Sequence, residues 1–546
     1  MQGKERADRE LLDAAALAGH LVPAGSMFAF LAAHRGELFP DGDFADLFPS
    51  RRGRPSVPAS VMATVLTLQA LCDYSDAETA EAARCDLRWK VACGFSVDYQ
   101  GFDPSTLVYW RRRLAASPRP DRVSDAVRAV IAETGILRGR RRRAVDGTVL
   151  DDAVATQDTI TQLVAAIRKV ARLVPGAAEL IPVTCTAHDY SQPGKPVTGW
   201  DDPQAKDVLV SALVNDALAL LAALEGRRLE GPAAGAVALL ALVAGQDVEP
   251  AEGSDGTDGR WKIANKVAED RVVSTVDPEA RHARKSRSQR RDGYRAHVAS
   301  DPETGIITDE RLTRAAGDGN GEPDAAAGFV AAAAEEASHD EETRDGAGPV
   351  PAAGGGEAGT GLRWYGDSAY GTGELRAVIR GAGDQAVIKP KPLRPAVEGG
   401  FTLDDFTINH DAGQATCPAG ITRPVTATGT VTFGAACRGC PLRSRCTTAR
   451  SGRTLQLHPR DQLLRAARAR WAADPGLRED YRHHRPNVER AIAQVATTRG
   501  RRIKLRYRGT ARNNAWLKRR TAALNLRNLI NRGLTRQHGT WALTAT

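Results

Sequence analysis

Residues 362–389 read LRWYGDSAYGTGELRAVIRGAGDQAVIK. Leu362 to Gly366 is a short apolar and aromatic run of strand character, Gly371-Thr372-Gly373-Glu374 opens a helix that Gly381 ends, and Gln385 to Lys389 is a second apolar run. Strand, helix and strand in this order, with short connections, predict a parallel pair in an α/β sheet. Asp367 leaves the first strand at its carboxyl end, the edge of an open α/β sheet where ligands bind. An aspartate ending a strand in a local turn is the plain structural alternative.

Upstream, residues 138–154 read RGRRRRAVDGTVLDDAV. Ala144 to Leu150 form a short strand-like step carrying Asp146, while Asp151 and Asp152 are read as the start of the next helix. Residues 159–224 repeat apolar positions at helical spacing and predict a helical insertion over about 155–265. Two extended runs flank Asp301-Pro302-Glu303-Thr304-Gly305 and predict a hairpin. From about 337 to 361 the chain is rich in Gly, Ala and acids, cannot bury a core, and is read as a disordered linker.

The whole chain has 546 residues, 42% hydrophobic and 26% charged, enough for several units with real cores. Its charged N-terminus is unlike a signal peptide, and the apolar stretch Ala233 to Gly245 is shorter than the roughly 20 residues a bilayer requires. A cytoplasmic protein is expected, associated with the nucleoid when bound to DNA. The net charge of +9 and the pI near 9.2 point to a polyanionic partner. The charge is segregated: 17 Lys and Arg against three acids from Arg478 to Arg536, and an acidic stretch from Glu335 to Glu357.

Residues 1–125 read as a helical unit. Ser56 and Pro58 open one helix, and Ser75 with Glu78 forms a capping box for a second. Asp103 and Pro104 start a third, which ends at Arg111, Arg112 and Arg113. Helices followed by a basic helix suit DNA docking, and equally suit any small bundle. Over 400–455 lie Cys417, Cys437, Cys440 and Cys446, the middle two with the spacing of a metal knuckle. Thiolates in a reducing compartment favour zinc over disulfides, with reduced thiols packing a small β insertion as the alternative. His410 is a substitute ligand. Residues 478–536 carry Glu489 near a helix start and a basic run, Arg501, Arg502, Lys504, Arg506 and Arg508, followed by a helix expected to turn one face to the core and one to a DNA backbone.

Three blocks in this order, AVDGTVLDDAVATQD, YGDSAYG and YRHHRPNVERAIAQV, resemble the catalytic blocks of bacterial insertion-sequence transposases of the DDE, RNase H-like type. The LFPSRRGRPSVPASVMATVLTLQALCDYSDAETAEAA and ACRGCPLRSRCTTA segments are similar to the same group. The resemblance implies an RNase H-like mixed sheet interrupted by the helical insertion over residues 138–392, preceded by the N-terminal helical unit. It implies Asp146 on the first strand, Asp367 after the fourth, and Glu489 on a helix closing the site. The expected cofactor is a pair of Mg²⁺ or Mn²⁺ ions held by these three acids, serving cleavage and strand transfer. Tyr481 and Arg485 resemble the Tyr/Arg/Glu signature of these enzymes, with Arg485 suited to a phosphate. Their spacing is one residue longer than the pattern, and Ala496 stands where a lysine is expected. Arg140 and Arg141 are expected to neutralise phosphates beside Asp146. Expected partners are double-stranded DNA, as transposon ends and target, and a second copy of the chain. The other readings are a catalytically inactive DNA-binding descendant and a nuclease that hydrolyses without joining.

Overall fold

The computed structural model describes residues 1–4, 12–50, 52–264, 268, 270–284, 290–344 and 361–544, and of residues 284, 290 and 338–344 the backbone alone. At its centre is a six-stranded mixed sheet: β1 (Arg142–Asp151), β2 (Arg281–Arg284), β3 (Arg290–Ser300), β4 (Ile307–Arg314), β5 (Arg363–Gly366) and β6 (Gln385–Ile388). β1 lies antiparallel to β3 and parallel to β5, β5 is parallel to β6, and the far edge of β3 pairs with both β2 and β4. This is the RNase H-like arrangement expected from the sequence. The strand-helix-strand unit is parallel, with Thr372 capping the helix Gly373–Gly381 between its strands.

β1 is longer than its apolar centre suggests. It runs through Asp151, which pairs with Gly293 and forms an ion pair with Arg291 at 3.1 Å. Asp152 is buried just after it, and the next helix starts only at Thr159, capped by Asp158. The two aspartates therefore end a strand rather than start a helix. The β3–β4 hairpin forms because Asp301 Oδ1 accepts the amides of Glu303 and Thr304, while Gly305 takes the positive φ (70°) the turn requires.

Alternation along β1 buries both faces of the sheet. Ala144 and Leu150 pack with Val488, Ala491, Val495, Trp516 and Leu517 of the C-terminal helices. Val145 faces the other way, toward Ala326, Phe329 and Val330 of the helix Glu322–Arg344, and Leu375 and Ile379 of Gly373–Gly381. Glu322–Arg344 runs into the stretch read as linker. Residues 345–360 lie outside the described residues.

The helices Met27–Leu38, Ala59–Cys72, Ser105–Ala116 and Arg122–Thr134 share one core. Ser75 and Glu78 make the expected capping box, with the Ser75 amide 2.6 Å from Glu78 Oε2. Ala59–Cys72 is buried almost all round, with the Thr64 and Thr67 hydroxyls satisfied by the Ser60 and Ala63 carbonyls one turn back. The helix Thr510–Asn531 wedges between this unit and the sheet: Ala522, Leu526, Leu529 and Ile530 face the N-terminal core, and Trp516, Leu517 and Leu524 the sheet. Its arginines were expected to face DNA, yet Arg519 and Arg520 are buried.

The insertion between β1 and β2 holds the helices Thr159–Leu173, Ala177–Thr184, Pro203–Leu224 and Gly231–Gln246 around their own core. Pro203–Leu224 is long and apolar enough to cross a membrane by length and composition; Leu209, Leu213, Ala217 and Leu220 on it are buried in that core. The cysteine-bearing segment folds as a small three-stranded sheet and a strand pair over Phe406, Val431, Phe433 and Leu455.

Candidate active site

Asp146 occupies the middle of β1, opposite Val298, and its Oδ1 accepts the Gly147 amide at 2.8 Å. Asp367 directly follows β5, where its Oδ1 accepts the Ala369 amide at 2.8 Å and caps the turn Ser368–Tyr370. Because Arg142 pairs with Arg363 in parallel register, each carboxylate stands four residues further along its strand. The two aspartates thus reach the same level of neighbouring strands.

The third acid comes from across the sheet face. The helix Pro475–His484 ends at Arg485, Pro486 interrupts the chain, and Glu489 lies in the first turn of Asn487–Ala496. Buried Val488, Ala491 and Val495 fix that helix against β1, leaving Glu489 largely exposed. Arg485 joins the acids: its Nη2 is 3.3 Å from Asp146 Oδ2 and its Nη1 is 3.5 Å from Glu489 Oε1, one helical turn on. Burial pushes the Asp146 carboxyl above its usual range. Arg485 and the Gly147 amide oppose the shift, and the charges of Asp367 and Glu489 add to it. Burial likewise raises the Tyr481 phenol, which feels Arg485 and all three acids. The five residues of the resemblance thus converge.

Nothing in the sequence singles out a fourth carboxylate in the same place. Glu322, at the start of its helix, is held by Arg295 at 2.7 Å. It lies so close to β1 that a Cβ on Gly147 would stand 3.3 Å from its Oε1. Burial pushes its carboxyl up, with Arg295 opposing and Asp367 and Asp146 adding. The Tyr370 hydroxyl is buried, feels the same three acids and has no hydrogen-bond partner among the described residues.

The arginines expected to touch DNA divide. Arg140 and Arg142 both bind Glu303 of the hairpin, at the start of β1 rather than beside Asp146, and Arg141 is exposed at the same end. Arg111 is tied to Asp76 and Gln69 and lies over the Tyr507 ring. Arg113 donates to the Leu47 carbonyl and covers Phe48, whereas Arg112 is exposed. Arg501, Arg502, Lys504, Arg506 and Arg508 are exposed around buried Ile503 and Leu505, with Arg502 donating to the Val149 carbonyl and Arg506 to that of Asp73.

Cys417, Cys437, Cys440 and Cys446 line one small apolar cavity with Phe401, Phe433 and Leu442. Burial raises the Cys446 thiol, and the other three cysteines contribute. The Arg453 amide donates to Cys437 Sγ at 3.5 Å. His410 is elsewhere, 3.6 Å from Asp461. Among the described residues no three His, Cys, Asp or Glu side chains are gathered closely enough to hold a metal ion.

Two segments match known families: residues 416–530 a transposase DDE domain, and residues 19–113 a transposase domain (DUF772). The first includes the cysteines, Tyr481, Arg485 and Glu489, and the second most of the N-terminal helices; Asp146 and Asp367 lie outside both. No curated protein and no solved structure matches the chain. The two matched segments flank the RNase H-like sheet in the sequence, and through them the chain is similar to insertion-sequence transposases of the DDE type.

Proposed function

We propose that the chain cuts and joins DNA strands at the ends of an insertion sequence, acting as a homodimer in the cytoplasm, with Asp146, Asp367 and Glu489 as its catalytic acids. The carrying observation is the shared contact of Arg485 with Asp146 and Glu489, beside an aspartate at the same level of the neighbouring strand. Three carboxylates from separate elements are the hard, open donor set that Mg²⁺ or Mn²⁺ takes. Bound there, two such ions would activate the attacking oxygen and stabilise the leaving one. The chain supplies the rest: Arg485 balances charge between two acids and offers a fork that fits a phosphate, while the buried faces of Asn487–Ala496 and β1 hold their carboxylates in register. The test is incubation of purified protein and Mg²⁺ with a duplex carrying the inverted repeats that flank its coding sequence. Nicks at the repeat ends leaving 3′-hydroxyls are expected; a protein that binds the ends and never cuts them would be the inactive descendant.

Glu322 gives a finer prediction. Glu322→Gln keeps the side-chain shape and a hydrogen bond to Arg295 but removes one negative charge from the cluster. The divalent-ion concentration for half-maximal cutting should rise several-fold with little change in melting temperature. An unchanged metal requirement would reduce Glu322 to a structural partner of Arg295.

The cysteine cavity is proposed as a structural zinc site. Four thiols line one small apolar cavity, and a backbone amide already donates to one sulfur, as thiolate sites favour. About one zinc per chain should appear in elemental analysis of protein prepared without chelator. Fully active protein free of zinc would leave the cysteines as packing residues.

A further inference from the structure

A groove of about 1990 Å³ opens at the edge of the sheet where β1, β5 and β6 begin. It is roughly twice the largest ordinary small-molecule pocket. Nine arginines line it against three acids, among the described residues, with Trp471 the single aromatic. Arg363 is held by Asp480 at 2.8 Å, and Arg376 is buried and donates to the Ile388 carbonyl. Arg138, Arg380 and Arg470 are exposed and have no acidic partner among the described residues. They come from three elements: the loop after Arg122–Thr134 and the last turns of Gly373–Gly381 and Asp461–Ala473.

The groove stands off from the carboxylates by a distance two elements measure. Along β1, Arg142 on the groove wall is four residues before Asp146, about 13 Å at strand rise. Along Pro475–His484, Leu477 lines the groove, Tyr481 is one turn on, and Arg485 at the helix end touches Asp146, about 12 Å at helix rise. Trp471 and Tyr481 meet edge to face at 5.1 Å between the two regions. A polyanion in the groove would therefore lie beside the acids without occupying them.

We propose that this groove is a track for duplex DNA, in which Arg138, Arg380 and Arg470 hold backbone phosphates of a segment separate from the phosphate being cut. The proposal rests on the chain acting on DNA. Free guanidinium groups and a near absence of aromatic faces favour backbone contact over base stacking, and so a duplex over a single strand.

The experiment measures binding of full-length protein to a duplex of unrelated sequence, without divalent ions so that nothing is cut, across a range of salt. Arg138→Ala, Arg380→Ala and Arg470→Ala together should weaken binding about tenfold or more and flatten the log-affinity against log-salt slope by about three units, near 0.9 for each phosphate contact. The three Lys replacements, which keep the charge, should restore most of the slope. Removing equal charge from the helical insertion, by Arg172→Ala, Arg227→Ala and Arg228→Ala, should change little. Unchanged affinity and slope in the groove variant would overturn the proposal, leaving Arg380 and Arg470 as complements to their helix dipoles. A loss seen only with single-stranded DNA would overturn the duplex assignment. Because no cutting is read, a protein that binds through the groove and fails to cleave would lose the proposed active site and keep the track.

Discussion

Asp146→Asn is expected to abolish metal-dependent cutting of the insertion-sequence ends, by three orders of magnitude or more, while duplex binding stays within about twofold. Each lost factor of ten costs about 1.4 kcal/mol in the barrier, and a metal-stabilised leaving oxygen contributes several kcal/mol. The asparagine keeps an oxygen for the Gly147 amide and removes the charge that Arg485 balances. Arg485 then keeps only its longer contact with Glu489 at 3.5 Å. Asp367→Asn and Glu489→Gln should lose activity similarly, since each would supply one corner of the same ion pair. Glu489, largely exposed, should do so with the least change in stability. Single-turnover cleavage beside filter binding checks all three, and near-normal cutting by any one variant removes that residue from the site.

What the sequence made legible was local. The strand, helix and strand from 362 to 389 carry their own start and stop residues, and the Ser75/Glu78 box needs four residues to state itself. Arg485 and Glu489 are one turn apart on a single stretch, so their pairing follows from helical spacing. Glu322 was illegible because its meaning depends on Gly147, 175 positions earlier, whose missing side chain lets it approach β1. In sequence it is only an acid in a first helical turn. The run from Arg138 to Arg143 misled for the same reason: Glu303, on a hairpin turn more than 150 residues away, neutralises Arg140 and Arg142. Arg138 and Arg141 then line the groove, while Arg143 turns to the buried Asp301. A count of charges along the chain cannot say which have acquired partners.

Arg520 shows how far that can go, and Arg520→Met should destabilise the protein by about 3–5 kcal/mol, the usual cost of breaking a buried charged network. Burial lowers the guanidinium to about 10, with Asp73 opposing. One amino group donates to the Ala70 and Leu71 carbonyls at 2.8 and 2.6 Å, and the other to the Gln494 and Thr497 carbonyls and the Thr498 hydroxyl at 2.8 to 2.9 Å. Ala70 and Leu71 end the helix Ala59–Cys72, and Gln494 lies in the last turn of the Glu489 helix. Such terminal carbonyls have no partners within their own helices. Methionine fills similar volume but strands these acceptors in a dry interface, and lysine lacks the two-pronged fork that serves both helix ends at once. The denaturant midpoint should therefore fall for both Arg520→Met and Arg520→Lys. Cutting, measured well below that midpoint, should fall more than duplex binding, because the helix that loosens carries Glu489 while the groove arginines sit on other elements. A loss under about 1 kcal/mol would mean that water satisfies those carbonyls as well as the guanidinium does. Equal losses of cutting and binding would mean that Arg520 supports the whole assembly rather than the placement of the third acid.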